Sequence, residues 1–138
     1  MSNFTLDYSS QYALLYDIIT GHKDYKTESD FLHELIMQHH EIGESHTHLL
    51  SVGCGTGSHE LCLDRLGLTI TGIDTSTPMI QRAKSKPFER SIFTASSINN
   101  FSLPHRSAFD AAISLFNVVN CLADINELVE FLSAVAYS

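Results

Sequence analysis

The stretch His48-Leu49-Leu50-Ser51-Val52-Gly53-Cys54-Gly55-Thr56-Gly57-Ser58 constrains this chain more than any other. An apolar run leads directly into three glycines at alternate positions, and a helix-forming segment opens behind them. Glycine has no Cβ, so such a turn lets main chain come close to a bound molecule. The helix behind it aims free N–H groups and a positive dipole end at the same spot. Twenty-one residues after Gly53, the segment Ile70-Thr71-Gly72-Ile73-Asp74 reads as a second strand tipped by a carboxylate. Nucleotide-binding α/β folds use an acid at that place to hold ribose hydroxyls.

The rest of the chain alternates in the same way. Tyr12, Leu15, Tyr16 and Ile19 recur at helical spacing, which predicts an amphipathic helix over 8–20 that stops at Gly21. Thr27-Glu28-Ser29-Asp30 offers capping residues for a second helix, whose Phe31, Leu32, Leu35 and Ile36 form one apolar face up to about His40. Residues 41–47 read as a polar connector around Gly43. Strand one is expected at 48–53 and a helix at 58–66, with Ser58 as cap and Gly67 as stop. Strand two follows at 68–74, and Thr77-Pro78 opens a helix to Lys84. Strand three is expected at 91–95, a polar loop at 96–107 and strand four at 110–116. Asp124 and Glu127 cap a last helix, where Ile125, Leu128, Val129, Leu132 and Val135 form a stripe expected to lie in the core. Strand–helix alternation of this kind predicts an α/β protein with a parallel, right-handedly wound sheet. The domain reading is a single unit over 1–138, with an N-terminal helical cap at 1–46 and a βαβ core at 47–138.

Composition narrows the partners. The net charge is −8, from 16 acidic and 8 basic residues, and no stripe of Lys and Arg occurs. That argues against nucleic acid or an anionic membrane and for a small-molecule or protein partner. No apolar stretch approaches membrane-spanning length. The start, Met1-Ser2-Asn3-Phe4-Thr5-Leu6-Asp7, has no basic, apolar signal-peptide pattern. Cys54, Cys62 and Cys121 are odd in number and lie in apolar segments, so reduced thiols and a cytoplasmic location are expected. His39, His40, His46 and His48 match no tight zinc spacing, and no metal site is expected.

Three segments together resemble the class I S-adenosylmethionine-dependent methyltransferases, and the N-terminal Tyr16-Asp17 and Lys23-Asp24-Tyr25 resemble the subgroup that methylates small molecules. The three segments are Leu49 through Gly57, then Gly72-Ile73-Asp74-Thr75-Ser76 with Met79-Ile80-Gln81-Arg82-Ala83, and Phe109 through Phe116. The resemblance implies a Rossmann-like doubly wound sheet of about four strands, ordered 3-2-1-4, with helices on both faces. It implies S-adenosylmethionine as cofactor and a small amine or hydroxyl compound as methyl acceptor. Gly53, Cys54 and Gly55 would lie under the methionine part through their main chain, and Asp74 would take the ribose hydroxyls. Thr75 and Met79 would flank the adenine, and Ser97 and Ile98 would meet its amine and ring. Leu115 and Phe116 would sit beside the methionine amine. Tyr16 and Tyr25 would close the site from the N-terminal side, with Tyr16 the candidate for orienting the acceptor; no catalytic base is evident.

The chain departs from the family pattern in three places. Family members carry acids where Ser51 and Ser97 stand, so weaker cofactor binding is expected. The family sheet has seven strands, whereas four are readable here, which implies a fragment, a shortened gene product, or a chain that completes its sheet through a homo-oligomer contact or another partner. Two alternatives stay open on the residues. Gly53, Gly55 and Ser58 occupy the fingerprint positions of a nicotinamide-dinucleotide module. The departures also fit a non-catalytic homologue acting through a protein partner.

Overall fold

Residues 10–39, 47–101, 109–115 and 122–136 are described by the computed structural model. Helices α1 (Ser10–Ile19) and α2 (Tyr25–His39) precede β1 (His48–Val52), α3 (Ser58–Arg65), β2 (Thr69–Asp74), α4 (Thr77–Lys84), β3 (Ile92–Ala95), β4 (Ala111–Ile113) and α5 (Ile125–Ala136). The strands pair in parallel in the order β3-β2-β1-β4, as expected. Side chains alternate across a strand, and this splits β1 between two cores. Leu49 joins Leu63, Leu68, Ile70 and Ile113 on the face that α2 and α3 cover. Leu50 and Val52 join Ile73 and Phe131 on the face that α5 covers. A third cluster, Ile80, Ala83 and Phe93, seats α4 on β3. Burial on both faces explains why β1 reads as a continuous apolar run rather than an alternating one.

Local chemistry ends the strands earlier than the apolar runs suggest. β1 stops at Val52 because Gly53 turns to a φ of 73° and gives its N–H to the Ile73 carbonyl at 2.8 Å. β2 starts at Thr69, since the Leu68 N–H is still bonded to the Leu63 carbonyl behind Gly67 (3.2 Å). β3 starts at Ile92, because the Ser91 hydroxyl is taken by Asp64. β4 ends at Ile113, where Ser114 leaves the ladder and its hydroxyl bonds the Val52 carbonyl at 3.1 Å. The last residue expected in that strand, Phe116, lies outside the described residues.

The helices bury other faces than apolar spacing predicts. On α1 the inward residues are Ala13 with the half-buried Tyr12, Tyr16 and Asp17, while Leu15 and Ile19 are exposed. On α2, Leu32 and Ile36 pack inward but Phe31 and Leu35 face out. That helix begins at Tyr25, ahead of the expected caps, because the Asp24 carboxylate takes the Thr27 N–H at 3.0 Å and its hydroxyl at 2.8 Å. On α5 the buried residue is Phe131, and Ile125, Val129 and Leu132 of the expected core stripe are exposed. The cap of α5 is as expected: Asp124 accepts the Asn126 and Glu127 N–H groups, and Glu127 reaches back to the Ala123 N–H.

Asp64 shows how a polar residue ties this core together. It is fully buried on α3 and accepts the Glu89 N–H at 2.9 Å, the Arg90 N–H at 3.1 Å and the Ser91 hydroxyl at 2.6 Å. Burial opposes its charge, but these donors outweigh burial and hold the carboxyl below its ordinary range. Asp64→Ala strands the donors that fix the entry to β3. The expected cost is about 2–3 kcal/mol, read as a lower midpoint in urea unfolding. An unchanged midpoint would contradict the role.

Candidate functional site

The glycine turn folds as its residues require. Gly53, Gly55 and Gly57 adopt φ values of 73°, 57° and 75°, which L side chains rarely take. Gly57, not Ser58, is the N-cap of α3; the left-handed cap position excludes serine, and Ser58 opens the helix instead. The turn is clasped by β2, whose Ile73 carbonyl accepts the N–H groups of Gly53 and Cys54. Asp74 completes the clasp: one oxygen accepts the Gly55 N–H at 2.9 Å and the other the Ser76 N–H at 2.8 Å. Each oxygen keeps a lone pair for a ligand hydroxyl. A Cβ placed on Gly55 would meet nothing within 4 Å, so this part of the turn faces open space.

That space is a cavity of about 820 Å3 at the C-terminal ends of the strands. Such a crevice is the usual ligand position in open α/β sheets. Its wall holds Gly53, Cys54 and Gly55, with Asp74, Thr75 and Met79 beyond them. Ser97 and Ile98 after β3, Leu115 after β4, and Tyr16 and Tyr25 from the N-terminal helices also line it. The structure thus brings together every described residue singled out from the sequence; Phe116 falls outside the described residues. The Tyr25 hydroxyl is buried and has no partner among the described residues. Its ring packs edge-on against His59, with centroids 4.8 Å apart.

The Cys54 thiol turns away from the cavity into the Ile80–Ala83–Phe93 cluster. Burial first, then the nearby carboxylates of Glu60 and Asp74, push its ionisation far above the ordinary thiol range. It stays a neutral thiol, and only its main chain is offered to a ligand. Of the histidines weighed for a metal, His48 lies 2.9 Å from the Thr71 hydroxyl and His39 is 2.9 Å from the Leu35 carbonyl. His40 and His46 lie outside the described residues. Among the described residues, no group of three His, Cys, Asp or Glu side chains is placed to hold a metal ion.

Several wall residues were not apparent from the sequence: Tyr12, Glu60, Asn99, Glu127 and Glu130. Asp17 was not expected to act at the site either. It reaches from α1 to the turn, accepting the Thr56 hydroxyl, the Arg82 Nε at 3.0 Å and the Lys86 Nζ at 3.2 Å. Lys86 also donates to the Thr56 carbonyl at 2.7 Å and the Ser58 hydroxyl at 3.1 Å. This clamp holds Tyr12 and Tyr16 of α1 at the cavity. Burial raises the Asp17 carboxyl, but its bond with Thr56 and the Lys86 charge more than offset this and leave it below its ordinary 3.8. A carboxyl depressed by folding stabilises the fold above its unfolded value, and that stability is lost as pH falls through the folded value. The α1 clamp should therefore hold at neutral pH and release only below about pH 4. Tyrosine fluorescence should report this in wild type and not in Asp17→Asn. An α1 transition near neutrality would contradict it.

The sequence pattern of the family described as "Methyltransferase domain" matches residues 50–136. The chain belongs to this methyltransferase domain family. One relative of this methyltransferase-family chain is a dTDP-3-amino-3,6-dideoxy-alpha-D-glucopyranose N,N-dimethyltransferase from Streptomyces fradiae. It is 34% identical over 125 residues, covering 88% of this chain and 46% of that protein. Among solved structures, Streptomyces venezuelae DesVI superposes with a TM-score of 0.74 at 25% identity, covering 91% of this chain and 51% of the other. SAM-bound CalS10, an amino pentose methyltransferase from Micromonospora echinaspora, superposes with a TM-score of 0.72 at 25% identity, covering 94% and 52%. The chain spans about half the length of these relatives.

Proposed function

We propose that this domain binds S-adenosylmethionine in the cavity above β1 and β2 and serves methyl transfer to a small-molecule amine. Residues 1–46 act as a helical cap on a βαβ core at 47–138. The observation that carries the reading is one juxtaposition: backbone bare of side chains at Gly53 and Gly55 stands against a carboxylate, Asp74, already hydrogen-bonded into place. The wall fits the cofactor elsewhere too. Asp74 has acceptor capacity for the ribose diol, Thr75, Met79, Ser97 and Ile98 suit the adenine, and the unpartnered Tyr25 hydroxyl seeks a ligand acceptor. Family membership favours this over the nicotinamide alternative, as does the third fingerprint position, where Ser58 already belongs to α3. The relatives named above include an amino-sugar N,N-dimethyltransferase and an amino pentose methyltransferase, which favours catalysis over a purely structural role.

When bound, the cofactor supplies an already activated methyl group on a sulfonium. What remains for the protein is alignment and exclusion of water. Tyr12, Tyr16 and Tyr25 form the aromatic side of the cavity, and the clamp through Asp17 fixes the first two. A tyrosine ring also favours cationic charge near its face, so Tyr16 suits the role of orienting the acceptor. The charged side chains on the described wall are Glu60, Asp74, Glu127 and Glu130, with no Lys or Arg among them. A wall of carboxylates supports an amine acceptor over an anionic one. The free thiols of Cys54 and Cys62 support a reducing, cytoplasmic setting, and no helix among the described residues is long and apolar enough to cross a membrane. The outer edge of β4 and the exposed Ile125–Val129–Leu132 stripe support a second copy or other partner that extends the sheet.

Gly55→Ala tests the reading. Left-handed strain costs the fold only about 1–2 kcal/mol, but the added methyl fills the ligand's side of the turn. Wild type should gain about 2.7 kcal/mol of stability from S-adenosylhomocysteine at a hundred times its Kd, and Gly55→Ala should gain almost nothing. NADH should stabilise neither. Stabilisation by NADH alone, or by neither ligand in wild type, would overturn the reading.

A further inference from the structure

The acid expected at position 51 is absent, yet a carboxylate stands beside that position. Glu60, in the first turn of α3, is 3% exposed and lines the cavity. Its Oε1 accepts the Ser51 hydroxyl at 2.6 Å. Ser51 reaches it because β1 alternates: Leu49 and Ser51 face α3, while Leu50 and Val52 face α5. With only that hydroxyl and its own backbone N–H as donors, the buried carboxylate is poorly compensated, since each oxygen accepts up to two hydrogen bonds. The basic groups around it are committed elsewhere. Lys86 is held on Asp17, Thr56 and Ser58, and the His59 ring lies 2.6 Å from Glu28. The side of Glu60 that faces the cavity thus has acceptor capacity and no protein cation on it. The ligand group that answers such a site is an ammonium.

We propose that Glu60 holds the α-ammonium of the cofactor's methionine moiety, so that α3 supplies the acid that β1 lacks and Ser51 fixes its orientation. This rests on the cofactor reading given above. Glu60 stands on the α3 face of β1, and Asp74 stands at the tip of the neighbouring strand β2. The two carboxylates would then hold the amino-acid end and the ribose of one elongated ligand. Burial raises the Glu60 carboxyl above its ordinary 4.5, against the lowering effects of Ser51, its own backbone N–H, His59 and Lys86. An arriving ammonium works the other way and favours the ionised carboxylate.

The test compares two ligands by calorimetry on the full chain. S-adenosylhomocysteine carries the ammonium; 5′-methylthioadenosine has the same nucleoside and thioether without it. Glu60→Gln should weaken the first by about tenfold or more and leave the second unchanged. Adding Ser51→Asp to Glu60→Gln should restore most of the loss. If Glu60→Gln does not fold, wild type decides alone. Its affinity for S-adenosylhomocysteine should fall as the pH drops through the carboxyl range, and its affinity for methylthioadenosine should not fall in parallel. Equal loss for both ligands, no loss for either, or the same pH dependence for both in wild type would overturn the role of Glu60. Wild type that binds neither ligand would overturn the cofactor reading itself.

Discussion

Replacing Asp74 with alanine is expected to weaken S-adenosylhomocysteine binding about a hundredfold. Two hydroxyl donors on one carboxylate make charged hydrogen bonds worth about 1.5–3 kcal/mol each, and a hundredfold is about 2.7 kcal/mol, so the figure is conservative. The same residue organises the turn, because its oxygens hold the Gly55 and Ser76 N–H groups at 2.9 and 2.8 Å. Asp74→Asn separates the two roles. The amide retains one acceptor and can keep part of the clasp, but it loses the charge that two ribose hydroxyls share. Its affinity should fall about tenfold or more with a nearly unchanged unfolding midpoint. A loss under threefold for Asp74→Ala would show that this carboxylate serves the turn alone.

The largest stability effect is expected at Gly72. This residue sits in the middle of β2, paired with Ser51 on one side and Phe93 on the other. A Cβ there would lie 2.4 and 2.5 Å from two carbons of the Phe93 ring and 3.0 Å from the Cys54 sulfur. The ring cannot swing aside freely. It is 5% exposed and packs on Phe88 with centroids 4.5 Å apart. Overpacking typically costs about 1–3 kcal/mol, and the closeness of this contact puts Gly72→Ala at about 3 kcal/mol. Urea unfolding with an unchanged slope and a lower midpoint is the expected result. A midpoint within error of wild type would mean that the Phe93 pocket is looser than described. Because Cys54 shares that pocket, Gly72→Ala should also disturb the turn, and its cofactor affinity should fall with its stability.

The parallel sheet and the glycine turn beside Asp74 were readable from the sequence because backbone requirements dictate them; the other wall residues were implied by the family resemblance. Three glycines at alternate positions leave few alternatives to a turn with positive φ, and an acid tipping the next strand must stand beside it. What escaped was set by tertiary packing. Leu15 and Ile19 share the spacing of Tyr12 and Tyr16, but α1 turns on the polar anchor of Asp17, so Ala13 and Asp17 go inward with the two tyrosines while Leu15 and Ile19 face out. Phe131 rather than Val129 or Leu132 enters the core, because α5 touches the sheet along a narrow line. Glu60 was hidden by the apolar Leu61, Cys62 and Leu63 that follow it. The available signal was its spacing from Asp64, which places two acids four residues apart on one side of α3. Both prove to be buried.

The most direct measurement is a crystal structure of the chain with S-adenosylhomocysteine. The account predicts its ribose hydroxyls on the Asp74 carboxylate, its amino-acid end against the backbone of Gly53 and Gly55, and its adenine between Met79 and Ile98. A well-ordered ligand bound elsewhere, or one lying in the cavity with its ribose turned away from Asp74, would contradict it.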